Sequence, residues 1–167
     1  KELANTQELI KELQADKRAI MLDTLALTPE QLAEFTPIYD EYQAEMKTLY
    51  TTGTNLSNRL FVADYGGMTD EESKSIQKEF FKLRHDRLDL LEKYSRKLDR
   101  KLPETKVVQF VQVENKIQAL LDVAAAASIP IVTETPNTLK YERRSAAPPA
   151  SWVARDAGRG GPAPPPA

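Results

Sequence analysis

His85 and Asp89 are the residues of this sequence whose types and spacing come closest to a chemical site. They lie four positions apart, so on a helix the imidazole and the carboxylate would share one face and could hold a metal ion together. One chain supplies no second histidine and no cysteine, although a dimer would pair two copies. A surface histidine on a charged helix is the simpler interpretation, and we predict no metal site.

The single histidine also argues against an enzyme. Carboxylate-bridged di-metal bundles need two Glu-x-x-His motifs on facing helices. A catalytic triad would have to use His85 as its base, but its surroundings, KLRHDRLD, are typical of a solvated helix face. The stretch DYGGM at residues 64–68 has neither the spacing nor the lysine of a phosphate-binding loop. We therefore predict no catalytic residue and no cofactor.

The composition is that of one globular domain, with 41% hydrophobic and 29% charged residues. The formal charge of −2 gives no reason to expect nucleic acid or an anionic membrane as a partner. No apolar run approaches the roughly 20 residues that a membrane span requires, so we expect no membrane insertion. Because the chain begins with Lys1, a removed export signal and a shortened chain both stay open.

Apolar spacing predicts four helices, at about residues 3–25, 28–64, 69–100 and 103–130, which together form an all-α domain over residues 1–130. In the second helix a 3-4 repeat indicates a seam packed lengthwise on another helix. Pro37 lies inside this helix and predicts a bend, and the run TTGTN around Gly53 predicts a soft spot. The predicted apolar positions of the second helix are Leu32, Phe35, Tyr39, Tyr42, Met46, Leu49, Leu56 and Leu60.

The other helices have apolar sets of their own. The first contains Leu9, Ile10, Leu13, Ile20 and Leu25; the third Ile76, Phe80, Leu83, Leu90, Leu91, Tyr94 and Leu98; the fourth Val107, Val108, Phe110, Val111, Ile117, Leu120 and Leu121.

Residues 131–167 differ in composition from the rest of the chain and are rich in proline, glycine and alanine. Such a segment cannot bury enough surface to offset the entropy of ordering, so we predict a disordered tail. Its composition also fits non-native, vector-encoded sequence.

Two short stretches, LTPEQ at residues 27–31 and MTDEE at residues 68–72, predict how the second and third helices begin. Thr28 suits the N-cap, Pro29 the first helical position, and Gln31 the return bond of a capping box. Thr69 and Glu72 repeat the arrangement.

Two long helices joined by a glycine turn should form an antiparallel hairpin. A second copy of the chain would cover its open seam, which predicts a homodimer.

The third helix carries a run of mixed charge, residues 82–101, between apolar residues. A solvated face with ion pairs one turn apart would explain it. The alternative is an amphipathic surface that holds partly unfolded chains, with cations for acidic segments and exposed apolar groups for apolar ones. Our candidates for such contacts are Phe61, Phe81, Arg84, Arg87 and Leu88.

The two capping stretches resemble the LTxxQ motifs of the Spy-type periplasmic proteins. Leu27, Thr28 and Gln31 match the first motif, and the second is matched by Met68, Thr69 and Glu72 with two conservative changes. The resemblance covers about residues 3–132. That group is all-helical, with long bent antiparallel helices in a cradle-shaped dimer, and it includes ATP-independent chaperones, a stress-response accessory inhibitor and heavy-metal sensors.

The resemblance implies a periplasmic, non-enzymatic protein that binds unfolded or partner protein as a chaperone or an envelope-stress accessory. The alternative is a metal- or ligand-responsive sensor that binds a membrane regulator. The metal-sensing branch relies on several histidines, and this chain has one. A helical module with one constant partner is a third hypothesis.

Overall fold

The computed structural model describes residues 2–132, without the side chains of several residues in the first half of the first helix and of Tyr65. Within this range the chain forms four helices: α1 (Glu2–Leu25), α2 (Pro29–Gly66), α3 (Asp70–Asp99) and α4 (Glu104–Ser128). The predicted all-α class and the four helices are therefore confirmed. The predicted tail beyond residue 132 lies outside the described residues, and so do the side chains of Leu9, Ile10 and Leu13, which were predicted as apolar positions of the first helix.

Both long helices begin at capping boxes. The Thr28 hydroxyl accepts from the Gln31 N–H at 3.3 Å, and the Gln31 side chain accepts from the Thr28 N–H at 3.1 Å. Thr69 and Glu72 exchange the same pair of bonds, at 3.1 and 2.9 Å. These bonds satisfy backbone donors that a helix start leaves open, which explains why α2 and α3 begin where they do.

α2 and α3 pack side by side as an antiparallel pair. Lysines on α3 meet glutamates on α2 along the exposed edge of the pair, at 2.8 Å for Lys93 and Glu45 and 2.7 Å for Lys97 and Glu41. Both pairs are exposed to solvent, so they add little to the free energy of unfolding. Their positions are consistent with the antiparallel register of α2 and α3. α2 is helical through both Pro37 and Gly53. A Cβ at Gly53 would lie 3.4 Å from both Leu83 and Arg87 of α3, which is ordinary contact distance, so the two helices pack closely here.

A second antiparallel pair, α1 with α4, was not predicted from the sequence. It is held by a buried ion pair between Lys17 and Glu114, at 2.7 Å, and by a bond from the Lys106 ammonium to the Leu25 carbonyl. α4 also packs on α3. The α1–α2 and α3–α4 connections lie at the same end of the molecule, which we call the closed end.

The core lies at the closed end and is rich in aromatic rings. Phe35 stacks on Tyr39 with ring centroids 5.0 Å apart, and Phe110 meets Tyr42 edge-on at 5.4 Å. Tyr94 from α3 packs edge-on against Tyr42 at 5.4 Å. Rings of this size bury large apolar areas. Met21 and Leu25 of α1 belong to the same core as Phe110 of α4, so α1 and α4 together cover the seam of the α2–α3 pair here.

Beyond the main core, α2 and α3 continue as a hairpin toward the Gly67 turn. Its buried residues are Leu56, Ala63, Ile76 and Leu83, which do not belong to the main core cluster. Arg59 of α2 pairs with Glu79 of α3 at 2.7 Å on this extension. Gly67 has a φ of 79°, which only glycine adopts without strain.

Several residues of the predicted apolar sets are exposed instead. They are Ile20 in α1, Leu32 in α2, Phe80 in α3, and Val108 and Leu120 in α4. Conversely, Met21, Leu102 and Val113 are buried without having been predicted. Spacing defines a stripe around each helix, but the width and direction of the covered part depend on which helix packs against it.

Among the residues that the structure describes, none of the helices carries an apolar stretch long enough to cross a membrane.

Candidate functional site

An exposed patch on α3 brings together aromatic, aliphatic and cationic side chains. Phe80 and Phe81 lie edge-to-face with ring centroids 5.7 Å apart, and the Arg84 guanidinium lies over the Phe80 ring at 5.2 Å. Leu88, one turn beyond Arg84, is 62% exposed. We call Phe80, Phe81, Arg84 and Leu88 the α3 patch. Large apolar groups concentrated on one exposed segment are typical of interaction surfaces.

α4 anchors the α3 patch from one side. Arg84 is bonded to Asp122 of α4 at 2.8 Å, and Arg87 approaches the other oxygen of the same carboxylate at 3.5 Å. Burial lowers the pKa of Arg87, while Asp122 opposes that shift. Arg84 therefore has a defined position over the Phe80 ring instead of extending freely into solvent.

The structure thus places Phe81, Arg84 and Leu88 on one exposed surface, with Arg87 half-buried beside it. Phe61 lies on α2, is half-buried, and is not part of the α3 patch. Phe80 was predicted as a seam residue, and the structure makes it part of the patch instead. The adjacent pair Phe80–Phe81 was the available signal, because adjacent residues lie about 100° apart around a helix and a narrow seam covers only one of two large rings.

His85 and Asp89 are both exposed on α3. Over the described part of the chain, no group of three His, Cys, Asp or Glu side chains is close enough to hold a metal ion. The pair on its own offers two ligands on a solvated surface.

A buried polar cluster, which the sequence analysis missed, joins three helices. Glu114 of α4 accepts from the Tyr42 hydroxyl at 2.7 Å with the same oxygen that faces Lys17. The Lys17 ammonium also lies 5.3 Å from the Tyr42 ring centroid and 3.4 Å from the Tyr50 hydroxyl oxygen. Burial, and then the Glu114 charge, raise the pKa of Tyr42, so this hydroxyl stays a donor.

The signal for this cluster was present in the spacing of α4. Val107, Phe110, Ile117 and Leu121 follow a 3-4 repeat whose middle position is Glu114. A carboxylate at a seam position is buried with the seam, and a buried charge needs a partner. Its partner, Lys17, could not be identified from spacing, because the pairing of α1 with α4 is a tertiary contact.

The chain was compared with protein-family models, with curated proteins and with solved structures, and none of the three comparisons gave a match.

Proposed function

We propose that this chain is a non-enzymatic helical protein that binds unfolded or partly unfolded polypeptides through the α3 patch. The observation that carries the proposal is the patch itself: two phenylalanines and a leucine exposed around an arginine held by α4. The resemblance of the capping stretches to the LTxxQ motifs supports the same function, a periplasmic location and a homodimeric state.

The chemistry of the patch suits a client that lacks a defined shape. Phe81 and Leu88 would remove apolar client side chains from water, and each such burial contributes about 1.5–3 kcal/mol. Arg84 adds attraction for acidic client segments, which fits unfolded chains whose apolar and charged residues are mixed. Contacts of this kind need no nucleotide and no covalent step.

An aggregation assay with a chemically denatured client tests the proposal. The wild-type protein should suppress light scattering when present in equal amount to the client, and Phe81→Ser should weaken this suppression several-fold. Val108→Ser is the matched control, because Val108 and Phe81 are both 56% exposed but Val108 lies on α4 near the closed end. Equal loss of suppression in both variants, or no suppression by the wild type, would contradict the proposal.

A further inference from the structure

α4 ends beside the α3 patch. The two helices pack on each other and are joined by residues 100–103, so they run in opposite directions. Because Asp122 binds Arg84, the residues that follow Asp122 lie beside the residues that precede Arg84. Ser128, the last residue of α4, is about 9 Å beyond Asp122 along the helix axis, a little past the level of the two phenylalanines of the patch. The chain that follows α4 therefore starts next to the patch.

The sequence after α4 contains one segment whose chemistry matches the patch. Residues 133–167 include four large apolar side chains, Leu139, Tyr141, Trp152 and Val153. Trp152 and Val153 are adjacent, and Trp152 is the only tryptophan of the chain. An indole combines a large apolar surface with the ring face that attracts a cation most strongly, so it suits a surface made of apolar side chains and an arginine.

Arg84 can contact a second ring. Its guanidinium lies over the Phe80 ring at 5.2 Å and is bonded to Asp122, but its side chain is still 49% exposed. An indole on this exposed part would leave both existing contacts in place. It would also cover part of Phe81 or Leu88, which are exposed beside Arg84.

The length of the intervening chain allows this contact. Trp152 follows Val132, the last described residue, by 20 residues. A chain of that length without regular structure spans about 25 Å on average, so the indole would be present at the patch at an effective concentration on the order of 1 mM. At that concentration a contact with a dissociation constant of about 1 mM is occupied about half of the time.

We propose that the segment at Trp152 and Val153 docks on the α3 patch of its own chain and competes there with client polypeptides. The docking depends only on the patch, whereas the competition rests on the proposed function. A client has to displace the segment before it can bind. If the segment occupies the patch about half of the time, its removal should about double the fraction of free patch.

Tryptophan fluorescence of the full chain tests the docking, because Trp152 is the only tryptophan that can emit. The wild type should emit at shorter wavelength than Phe81→Ser, and acrylamide should quench it less, since docking shields the indole from water. Val108→Ser is again the matched control and should behave like the wild type. Identical emission and quenching in the wild type and Phe81→Ser would overturn the proposal.

The same signal separates the chain's own segment from that of a second copy. The difference between the wild type and Phe81→Ser should persist on dilution, because the segment and the patch belong to one chain. A difference that disappears on dilution would mean that another molecule supplies the tryptophan, and it would overturn the proposal.

The aggregation assay tests the competition. Trp152→Ser should lower the concentration needed for half suppression about twofold. Tyr141→Ser, also beyond α4 but outside the docking segment, should leave that concentration unchanged. Unchanged suppression by Trp152→Ser, in a chain whose fluorescence reports docking, would overturn the competition. Absence of suppression by every variant contradicts the proposed function alone, and the fluorescence comparison still decides whether the segment docks.

Discussion

At the scale of single residues, the ion pair between Lys17 and Glu114 is the feature whose stability depends most on the presence of both partners. Both side chains are almost fully buried, and their charged atoms lie 2.7 Å apart. Removing two charges from water is expensive, and the mutual attraction of the pair offsets this cost only while both partners are present. The Tyr42 hydroxyl adds a third contact to the same carboxylate oxygen.

Removing one member of the pair should therefore be far more harmful than removing both. Lys17→Met is expected to lower the free energy of unfolding by about 3–5 kcal/mol, because it leaves the Glu114 charge buried alone. The double variant Lys17→Met, Glu114→Gln should recover most of this loss, since an amide oxygen can still accept from Tyr42. Urea denaturation of the single and double variants measures both effects. A double variant as unstable as Lys17→Met would show that packing, not charge, dominates here.

The backbone of Ala26 is strained. It follows the end of α1 with a φ of 43°, and its N–H bonds to the Leu22 carbonyl at 3.0 Å, which is the usual place for a glycine after a helix. Ala26→Gly should raise the free energy of unfolding by about 0.5–1 kcal/mol, because glycine adopts a positive φ without steric cost.

Ala44→Gly provides the opposite control for this substitution. Ala44 is exposed inside α2, where glycine should cost about 1 kcal/mol of stability. Thermal unfolding of both variants should therefore move the midpoint in opposite directions. A lower midpoint for Ala26→Gly would show that the left-handed conformation is not strained.

At the scale of the helices, the two capping boxes differ in one respect that can be measured. Gln31 closes the box of α2 with an amide, and Glu72 closes that of α3 with a carboxylate. The pKa of Glu72 is lowered, first by the Thr69 backbone N–H and then by the Thr69 hydroxyl. A carboxyl group whose pKa is lowered on folding stabilises the folded state at every pH above its pKa in the unfolded chain, which is 4.5 for Glu72. This stabilisation is lost as the pH falls through the lower pKa that the group has in the folded protein.

We accordingly expect Glu72→Gln to reduce the acid sensitivity of the fold. At pH 7 the wild type should be the more stable protein, because the carboxylate is ionised and accepts strongly from the helix start. The difference between the two should shrink below pH 4.5 and vanish once Glu72 is protonated in the folded state. Urea denaturation over a pH series checks this, and a difference independent of pH would contradict it.

The helix boundaries could be predicted from local sequence, whereas the covered faces could not. Thr28 and Thr69 define helix starts through bonds within three residues, so the information is contained in the chain nearby. Leu32, Phe80 and Val108 have the type and spacing of core residues and are nonetheless exposed. Whether a stripe is covered depends on a partner helix that is distant in sequence, and the α1–α4 pair is the partner that spacing did not predict.

At the scale of the whole molecule, the two ends are built differently. Four helices surround the aromatic core at the closed end, while at the other end the α2–α3 hairpin extends beyond that core with its own small buried set. Val62 on this extension is 69% exposed and is not part of the α3 patch. A pair of helices alone buries limited surface, so this end is where a second molecule would contribute most.

The predicted homodimer should therefore depend on the hairpin end. Sedimentation at protein concentrations on the order of tens of micromolar should show a dimer, and Val62→Lys should shift it toward monomer by placing a charge in the interface. Val108→Lys, near the closed end, should leave the dimer unchanged. A wild-type monomer under these conditions would contradict the prediction.

The sequence by itself determined the all-α class, the number of helices and their starts, because apolar spacing and capping bonds act over a few residues. It also predicted the antiparallel pairing of α2 with α3. It did not determine that α1 pairs with α4, which of the stripes are covered, or that Lys17 would meet Glu114. Only the tertiary structure decided these, because each depends on contacts between segments far apart in the chain. The α3 patch is one consequence, because Asp122 of α4 binds Arg84 there.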